Sequence, residues 1–434
     1  MYRRVGVRLA LIAGLMALAG VMVLRSAGTS SRLRTVRLNV GTAGAVVVDE
    51  RTGRAFVTDY GSGKVHMFDT ATGKLLRTVT TGYGTTGGRW SPWSSPSALA
   101  LDERANRLYM VDLSSNMSIL DTQNGAVLHS IGAGASPVAL AIDPRTHRAF
   151  LANRDEGTVR VLDAADGHTL RTINVGLTPS SLAVDSRSGR AFVVGDNSAG
   201  GAVSVVDTVR LRLLGTIAIG RFARRVIVDE QTRRAFVTDS GHDGRTPTVS
   251  VLDARTGRLL RATAYGAPVA NPSALPLDNG LALDEQTGRV FVADSPYNTV
   301  SVLSAATGRL LRTISVGPHP RAMAVDSQAR LVLVANEGNT DSNGTWTGSG
   351  SVSVLDARSG SVLRTIVVGI DPIAVSVDAR SGRAFIINAG GAVRVRDPWD
   401  WLPPSLRRRL PFIPAPAVHT RTVRASMTII DTSR

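Results

Sequence analysis

An apolar run ending in aspartate, a short turn, and then Arg-Ala-Phe-Val or a near copy of it recurs eight times along this chain. The conserved spacing runs through Asp49, Asp102, Asp143, Asp185, Asp229, Asp284, Asp326 and Asp378, at intervals of 41 to 55 residues. A second phrase follows each first one, as in Val251-Leu252-Asp253-Ala254-Arg255-Thr256-Gly257-Arg258 and then Leu259-Leu260-Arg261. Each phrase reads as strand, tight turn, strand, so each unit holds four strands. Self-similarity at this period, with β-branched runs punctuated by Asp, Thr and Gly and no amphipathic helical pattern, predicts an all-β propeller with one four-stranded sheet per unit. A β-sandwich leaves the fixed period unexplained.

The units close a ring on paper. Seven outer strands begin at Leu75, Val127, Thr169, Leu213, Leu259, Leu310 and Val362, but the eighth unit runs out at Thr428-Ile429-Ile430-Asp431. The missing strand lies near the start, as Leu33 to Gly41. A last blade that takes its outer strand from the N-terminus removes the seam that would leave two unpaired edges. The expectation is eight blades, with seven as the alternative.

Residues 1–28 read as a targeting segment that precedes a propeller over 29–434. Arg3, Arg4 and Arg8 flank an uncharged run from Leu9 to Leu24 that Arg25 ends. As a helix that run spans about 24 Å, short of the roughly 30 Å hydrocarbon core. It is read as a signal anchor or a cleaved signal peptide, and both place the propeller outside the cytoplasmic membrane, membrane-anchored or secreted. With no cysteine in the chain, lipidation on Cys, disulfides, thiolate metal sites and covalent haem attachment are excluded. No cofactor and no sequence-local metal site is expected, because no two of the seven histidines stand at ligand spacing.

The formal charge is +16, yet 48 of the 50 basic residues are arginine, leaving only Lys64 and Lys74. Many arginines recur at repeat positions such as Arg54, Arg148 and Arg190, or on outer strands such as Arg77, Arg171 and Arg261, where charge discourages edge-to-edge pairing. Their spread disfavours nucleic acid as the partner.

Phe56-Val57-Thr58-Asp59, Tyr109-Met110-Val111-Asp112, Phe236-Val237-Thr238-Asp239, the Val-Ser-Val-Leu-Asp strands and the Val-Gly-x-x-Pro connections resemble the YVTN family of β-propeller repeats. The resemblance covers nearly all of residues 32–434. It implies an exported binding propeller of the kind found among surface-layer proteins, with lactonase-like enzymes as a catalytic minority. This chain departs from the pattern in carrying Asp more often than Asn at the fourth signature position, and Gly195 there in the fourth unit.

The repeated aspartates read as turn caps, since an Asp side chain accepts backbone N–H bonds across a turn whose Gly supplies the positive φ. The same applies to the ring of Asp59, Asp112, Asn153, Asp239, Asp294, Asn336 and Asn388. Length varies elsewhere, at 82–96, 196–202, 239–248, 266–279, 336–351 and about 389–424. All of these fall between the second and third strands of a unit or between units, connections that share one face of the disc, so function is expected there.

Three of these loops carry chemistry that the repeat does not require. Arg89, Trp90 and Trp93 offer stacking surfaces for a planar or sugar ligand, against a packing role in the channel. His242, Asp243 and Arg245 form the densest local set of ionisable groups, against a solvated turn. The insertion in the last unit joins Trp399 and Trp401 to Arg407, Arg408, Arg409 and Phe412, which suits a lid, a partner patch or contact with anionic headgroups, against a tail that covers the blade. His319, Glu337 and Trp346 complete the candidate ligand-binding residues. The sequence favours a monomeric, extracytoplasmic binding module for an unidentified protein, glycan or cell-envelope polymer. A lactonase-like hydrolase or lyase at the channel mouth is the alternative, and convergence of His242, Asp243, Glu337 and His319 would support it.

Overall fold

The computed structural model describes residues 33–38, 43–59, 63–81, 98–111, 115–240, 246–266, 280–341, 345–395 and 419–432. The expected targeting segment, and with it the N-terminal hydrophobic helix, lies outside these residues. Among the described residues no helix is long and apolar enough to cross a membrane, and the helical content is one 3-10 turn at Ser295–Tyr297.

Eight four-stranded antiparallel sheets form the blades. In chain order they span 43–80, 99–132, 137–174, 178–218, 223–264, 281–315, 320–367 and 372–431, the last completed by Arg34–Arg37. That N-terminal strand pairs antiparallel with Ser426–Asp431, Arg34 opposite Ile429 and Arg37 opposite Ser426. Eight blades, not seven, therefore close the ring, with the seam inside blade 8. The third strand of that blade is Ser426–Asp431. Gly391–Val395 imitates a third strand in sequence but pairs instead with His419–Val423 as a separate hairpin.

The sequence pattern explains the layering. A blade's second strand is covered on both sides by its neighbours and so reads as a continuous apolar run, buried from Ala to the signature Asp or Asn in RAFVTD and RAFLAN. The phenylalanine of that run, at Phe56, Phe150, Phe192, Phe236, Phe291 and Phe385, is wholly buried. Burying such a side chain stabilises by roughly 1.5–3 kcal/mol. Apolar packing gathers into eight clusters, one at each blade junction, including the junction of blades 8 and 1 where Phe385, Ile387 and Met427 meet Ala55, Val57 and Phe68. In blade 2 Tyr109 replaces the phenylalanine; its hydroxyl donates to Ala164 O at 2.6 Å, and burial pushes its pKa up to about 12.

The turn aspartates cap as expected. Asp49 Oδ1 accepts from Arg51 N and Thr52 N at 3.0 Å each, and Asp229 and Asp378 repeat the pattern. The arginines have a more specific use than discouraging edge pairing. Arg107 donates to Ala164 O, Arg289 to Ala357 O and Arg383 to Thr70 O, each in a neighbouring blade. On the outer strands, Arg77 donates to Asn124 O at 2.8 Å and Arg364 to Asp431 O at 3.2 Å. These guanidinium groups tie blades 1, 2, 6, 7 and 8 to carbonyls of the blade that follows.

Candidate functional site

The disc has two unlike faces. One, the hairpin face, is built from the tight turns joining strands one to two and three to four. The other, the connection face, carries the blade-to-blade connections and the turns joining strands two to three. The signature polar residue ends the second strand at the connection face, buried at Asn153, Asp239, Asp294, Asn336 and Asn388. Asn336 Nδ2 donates to Ser351 O and to Ser353 Oγ, and Asn388 Nδ2 does the same to Ser426 O and Thr428 Oγ1. Asn336 and Asn388 thereby cap the turn into the third strand, and Asp239 does so by accepting from Thr248 N at 3.0 Å, whereas Asp294, expected to be such a cap, makes no side-chain cap bond.

A glycine of the incoming connection lies directly on each of these side chains. A Cβ on Gly134, Gly220, Gly266, Gly317 or Gly369 would collide with Asn153, Asp239, Asp294, Asn336 or Asn388 respectively. Blade 4 inverts the pair: a Cβ on Gly195 would collide with the carbonyl of Thr178, while Gly176 has open space around it. The departure at Gly195 is thus a steric requirement, since the connection itself occupies the room that the signature side chain takes in other blades.

Immediately after the connection, a non-glycine residue stands in the left-handed region at Ser136, Phe222, His319 and Asp371, with φ between 51° and 57°. Its carbonyl accepts the backbone N–H that follows the signature residue, as in Glu337 N to His319 O at 3.0 Å and Ala389 N to Asp371 O at 2.8 Å. The next chain position but one is a β-bulge, so in blade 7 Arg321 falls between the paired residues Pro320 and Ala322. Bulges re-aim side chains. Arg321 Nη1 meets Glu337 Oε1 at 2.6 Å.

The result is a cluster on blades 7 and 8, where His319, Arg321, Glu337 and Asp371 come together. His319 Nδ1 lies 2.8 Å from the carbonyl of Gly338. A carbonyl only accepts, so Nδ1 carries the proton and Nε2 is the acceptor of the neutral ring. His319 N is held by Asn298 Oδ1 from the neighbouring blade at 2.8 Å. Burial pushes the Asp371 carboxyl up to about 7, the Glu337 charge adds to the rise and Arg321 opposes it. Asp371 Oδ1 is buried without a hydrogen-bond partner among the described residues. A carboxyl of this kind gives and takes a proton near neutrality, and Arg321, held by Glu337, supplies a fixed cation beside it.

Of the candidate residues read from the sequence, His319 and Glu337 therefore meet. Trp346 lies on the same face but serves a scaffold: its backbone N–H donates to Ala392 O at 3.0 Å, it bridges Thr340 and Val393, and its ring edge lies against Gly391. Two long insertions, from blades 7 and 8, are joined through it. Arg89, Trp90, Trp93, His242, Asp243, Arg245, Trp399, Trp401, Arg407, Arg408, Arg409 and Phe412 lie outside the described residues. Arg321 and Asp371 were missed. Aligning Gly317-Pro318-His319-Pro320 with Gly369-Ile370-Asp371-Pro372 puts His319 and Asp371 at one repeat position in adjacent blades, and that was the available signal. On the hairpin face, Asp163, Asp166 and His168 form the one group of three potential metal ligands among the described residues. There His168 Nδ1 pairs with Asp166 Oδ1 at 2.7 Å.

A family model of the choice-of-anchor I domain matches residues 224–381, from blade 5 into blade 8. No curated protein sequence matches the chain. Among solved structures, the computationally designed protein Ika8 superposes with a TM-score of 0.60 at 16% identity, covering 81% of this chain and 95% of that one. BamB from Moraxella catarrhalis gives 0.53 at 15% identity, covering 82% and 96%. Kuenenia stuttgartiensis hydrazine synthase gives 0.54 at 14% identity, covering 80% of this chain and 100% of that chain. At these identities the likeness is one of fold, and the fold is the β-propeller.

Proposed function

We propose that this chain is an extracytoplasmic propeller that binds a partner through its connection face, in the manner of the YVTN-repeat proteins it resembles. The observation that carries the reading is the joining of the two long insertions by Trp346, which turns two variable loops into one structured surface. Sequence variation concentrated on one face of a constant scaffold is the usual arrangement of a binding module. The charge-flanked apolar run at Leu9 to Leu24 and the similarity to the choice-of-anchor I domain support a location at the cell envelope. A lactonase-like hydrolase is the second reading, favoured by the Asp371 carboxyl near neutrality beside Glu337 and Arg321, with His319 bonded to Glu337 through its backbone carbonyl.

A thermal-shift screen against proteins of the envelope, glycans, cell-wall fragments and lactones distinguishes the two. A ligand at about 100 times its Kd adds roughly 2.7 kcal/mol to the folded state. A saturable shift that disappears when residues 392–422 are shortened, and persists in Asp371→Asn, supports partner binding. Lactone turnover that Asp371→Asn abolishes establishes the enzyme, and shifts unaffected by either change refute both.

A further inference from the structure

The face with constant turns has its own chemistry. In seven of the eight blades the turn between the first and second strands carries an exposed arginine, as at Arg51, Arg104, Arg145, Arg187, Arg233 and Arg380. The turns between the third and fourth strands add Arg255, Arg258, Arg309 and Arg358, all exposed. Carboxylates on this face are mostly turned inward. The turn aspartates accept their own turn's N–H groups, and Glu50, Glu103 and Glu230 accept N–H groups of the adjacent blade. Among the exposed described side chains of this face cations outnumber carboxylates, the exposed carboxylates being Asp166 and Glu285, whereas the connection face mixes Asp155, Glu156 and Glu337 with Arg221 and Arg424.

An apolar ring borders the same face. The outer strand of each blade leaves its turn through exposed aliphatic side chains: Leu76 is 42% exposed, Leu128 42%, Leu260 45%, Leu311 51% and Leu363 52%, with Leu33 at 46% in the closing blade. Leucines within two residues of the turn lie less than about 7 Å above it, at roughly 3.3 Å per residue. That depth matches the roughly 5–10 Å to which interfacial segments enter the boundary between headgroups and acyl chains. Finally, the chain enters the ring at Arg34 on this edge, where its guanidinium bonds Thr72 O in a hairpin-face turn, and the apolar run that ends at Leu24 lies ten residues earlier in the sequence.

We infer that the hairpin face docks flat on an anionic lipid bilayer, its arginines on the headgroups and its leucine ring at the acyl boundary. A flat disc whose cations and leucines repeat in every blade at one height is complementary to a plane. The leucines distinguish this partner from nucleic acid, which has no use for them, and repulsion between the exposed arginines of two such faces opposes back-to-back association of two copies. Docking in this way leaves the variable connection face pointing away from the membrane. The inference stands on different residues from the proposed function and survives its failure.

The test uses residues 30–434, which contain the whole compact unit Arg34–Arg434, and measures sedimentation with phosphatidylglycerol–phosphatidylcholine vesicles against phosphatidylcholine alone. Binding to the anionic vesicles is expected to be at least about tenfold tighter. Arg51→Gln, Arg104→Gln, Arg255→Gln and Arg358→Gln combined are expected to weaken it by at least about tenfold, while Arg221→Gln, Arg421→Gln and Arg424→Gln on the other face leave it unchanged. Leu76→Ser, Leu260→Ser and Leu363→Ser combined are expected to remove the part of binding that persists in high salt, with melting temperatures confirming that each variant is folded. Indifference to lipid charge, equal loss from the two arginine sets, or wild-type binding by the leucine variant overturns the inference. So does binding to duplex DNA without binding to vesicles, which reassigns the face to a soluble polyanion, or a dimer that hides it.

Discussion

At the scale of single residues the ring of signature positions gives the sharpest expectations, because eight copies of one environment differ by one side chain at a time. Asp294 is 1% exposed and its Oδ2 has no partner among the described residues, and burial pushes its carboxyl up to about 7. Its cross-strand neighbour Thr299 also has a buried hydroxyl without a partner. In blade 7 the equivalent pair is Asn336 and Ser351, bonded through Nδ2. Between an ordinary carboxyl pKa near 4 and the folded value near 7, the folded state holds the proton more tightly than the unfolded chain. The stability contributed by neutral Asp294 is therefore full at low pH, falls as pH rises through that window and is lost above it. Asp294→Asn should match the wild type near pH 4 and exceed it at pH 8 by roughly 2–4 kcal/mol, read from denaturant midpoints. Equal stability at both pH values would sink this account. Conversely, Gly195→Asn restores the repeat pattern in sequence but meets the Thr178 carbonyl, and should cost about 2 kcal/mol or more. The turn aspartates such as Asp49 were legible from spacing as caps, whereas the missing cap at Asp294 and the glycine stacked on each signature residue were not, because glycine and signature side chain meet across a blade junction.

Among the elements, the inserted hairpin is where sequence pattern and pairing diverge. Gly391–Val395 has the alternation of a third strand, yet Ser426–Asp431 takes that place. The winner extends over six paired residues against Arg383–Asn388 and buries Met427, Ile429 and Ile430. Val393, by contrast, is half-buried and Ala392 exposed. With Trp346 as its link to blade 7, the hairpin should loosen in Trp346→Ala. Hydrogen exchange at the amides of 391–395 is then expected to accelerate by at least about tenfold with little change in global melting, since local opening and global unfolding are separate events. Unchanged exchange would mean that the hairpin holds itself. The β-bulge that brings Arg321 to Glu337 was equally hidden, because a bulge adds one residue without altering the apolar pattern on either side of it.

For the whole molecule, closure is the decisive event. Removing residues 1–38 takes away the strand opposite Ser426–Asp431 and exposes its edge. The melting temperature should fall by at least about 5 °C, with proteolytic cleavage appearing first in blade 8. A peptide of residues 30–41 supplied in trans should restore both. Retention of full stability without the strand would show that the seam contributes nothing.

The sequence by itself determined the repeat, the four strands per blade, the turns and their aspartate caps, and the N-terminal origin of the last strand. The strands, turns and caps depend on side-chain alternation and turn chemistry within about ten residues of chain, and the repeat and the origin of the last strand follow from comparing one unit with the next. Only the tertiary structure decided which groups meet between blades: the glycine above each signature residue, Glu50 on Ala379 N across 329 positions, Asp371 near Glu337 and Arg321, and the gathering of arginines and leucines on one face. A local period records what each unit needs. The distance between units, and hence burial, shared charge and the character of each face, arises when the ring closes.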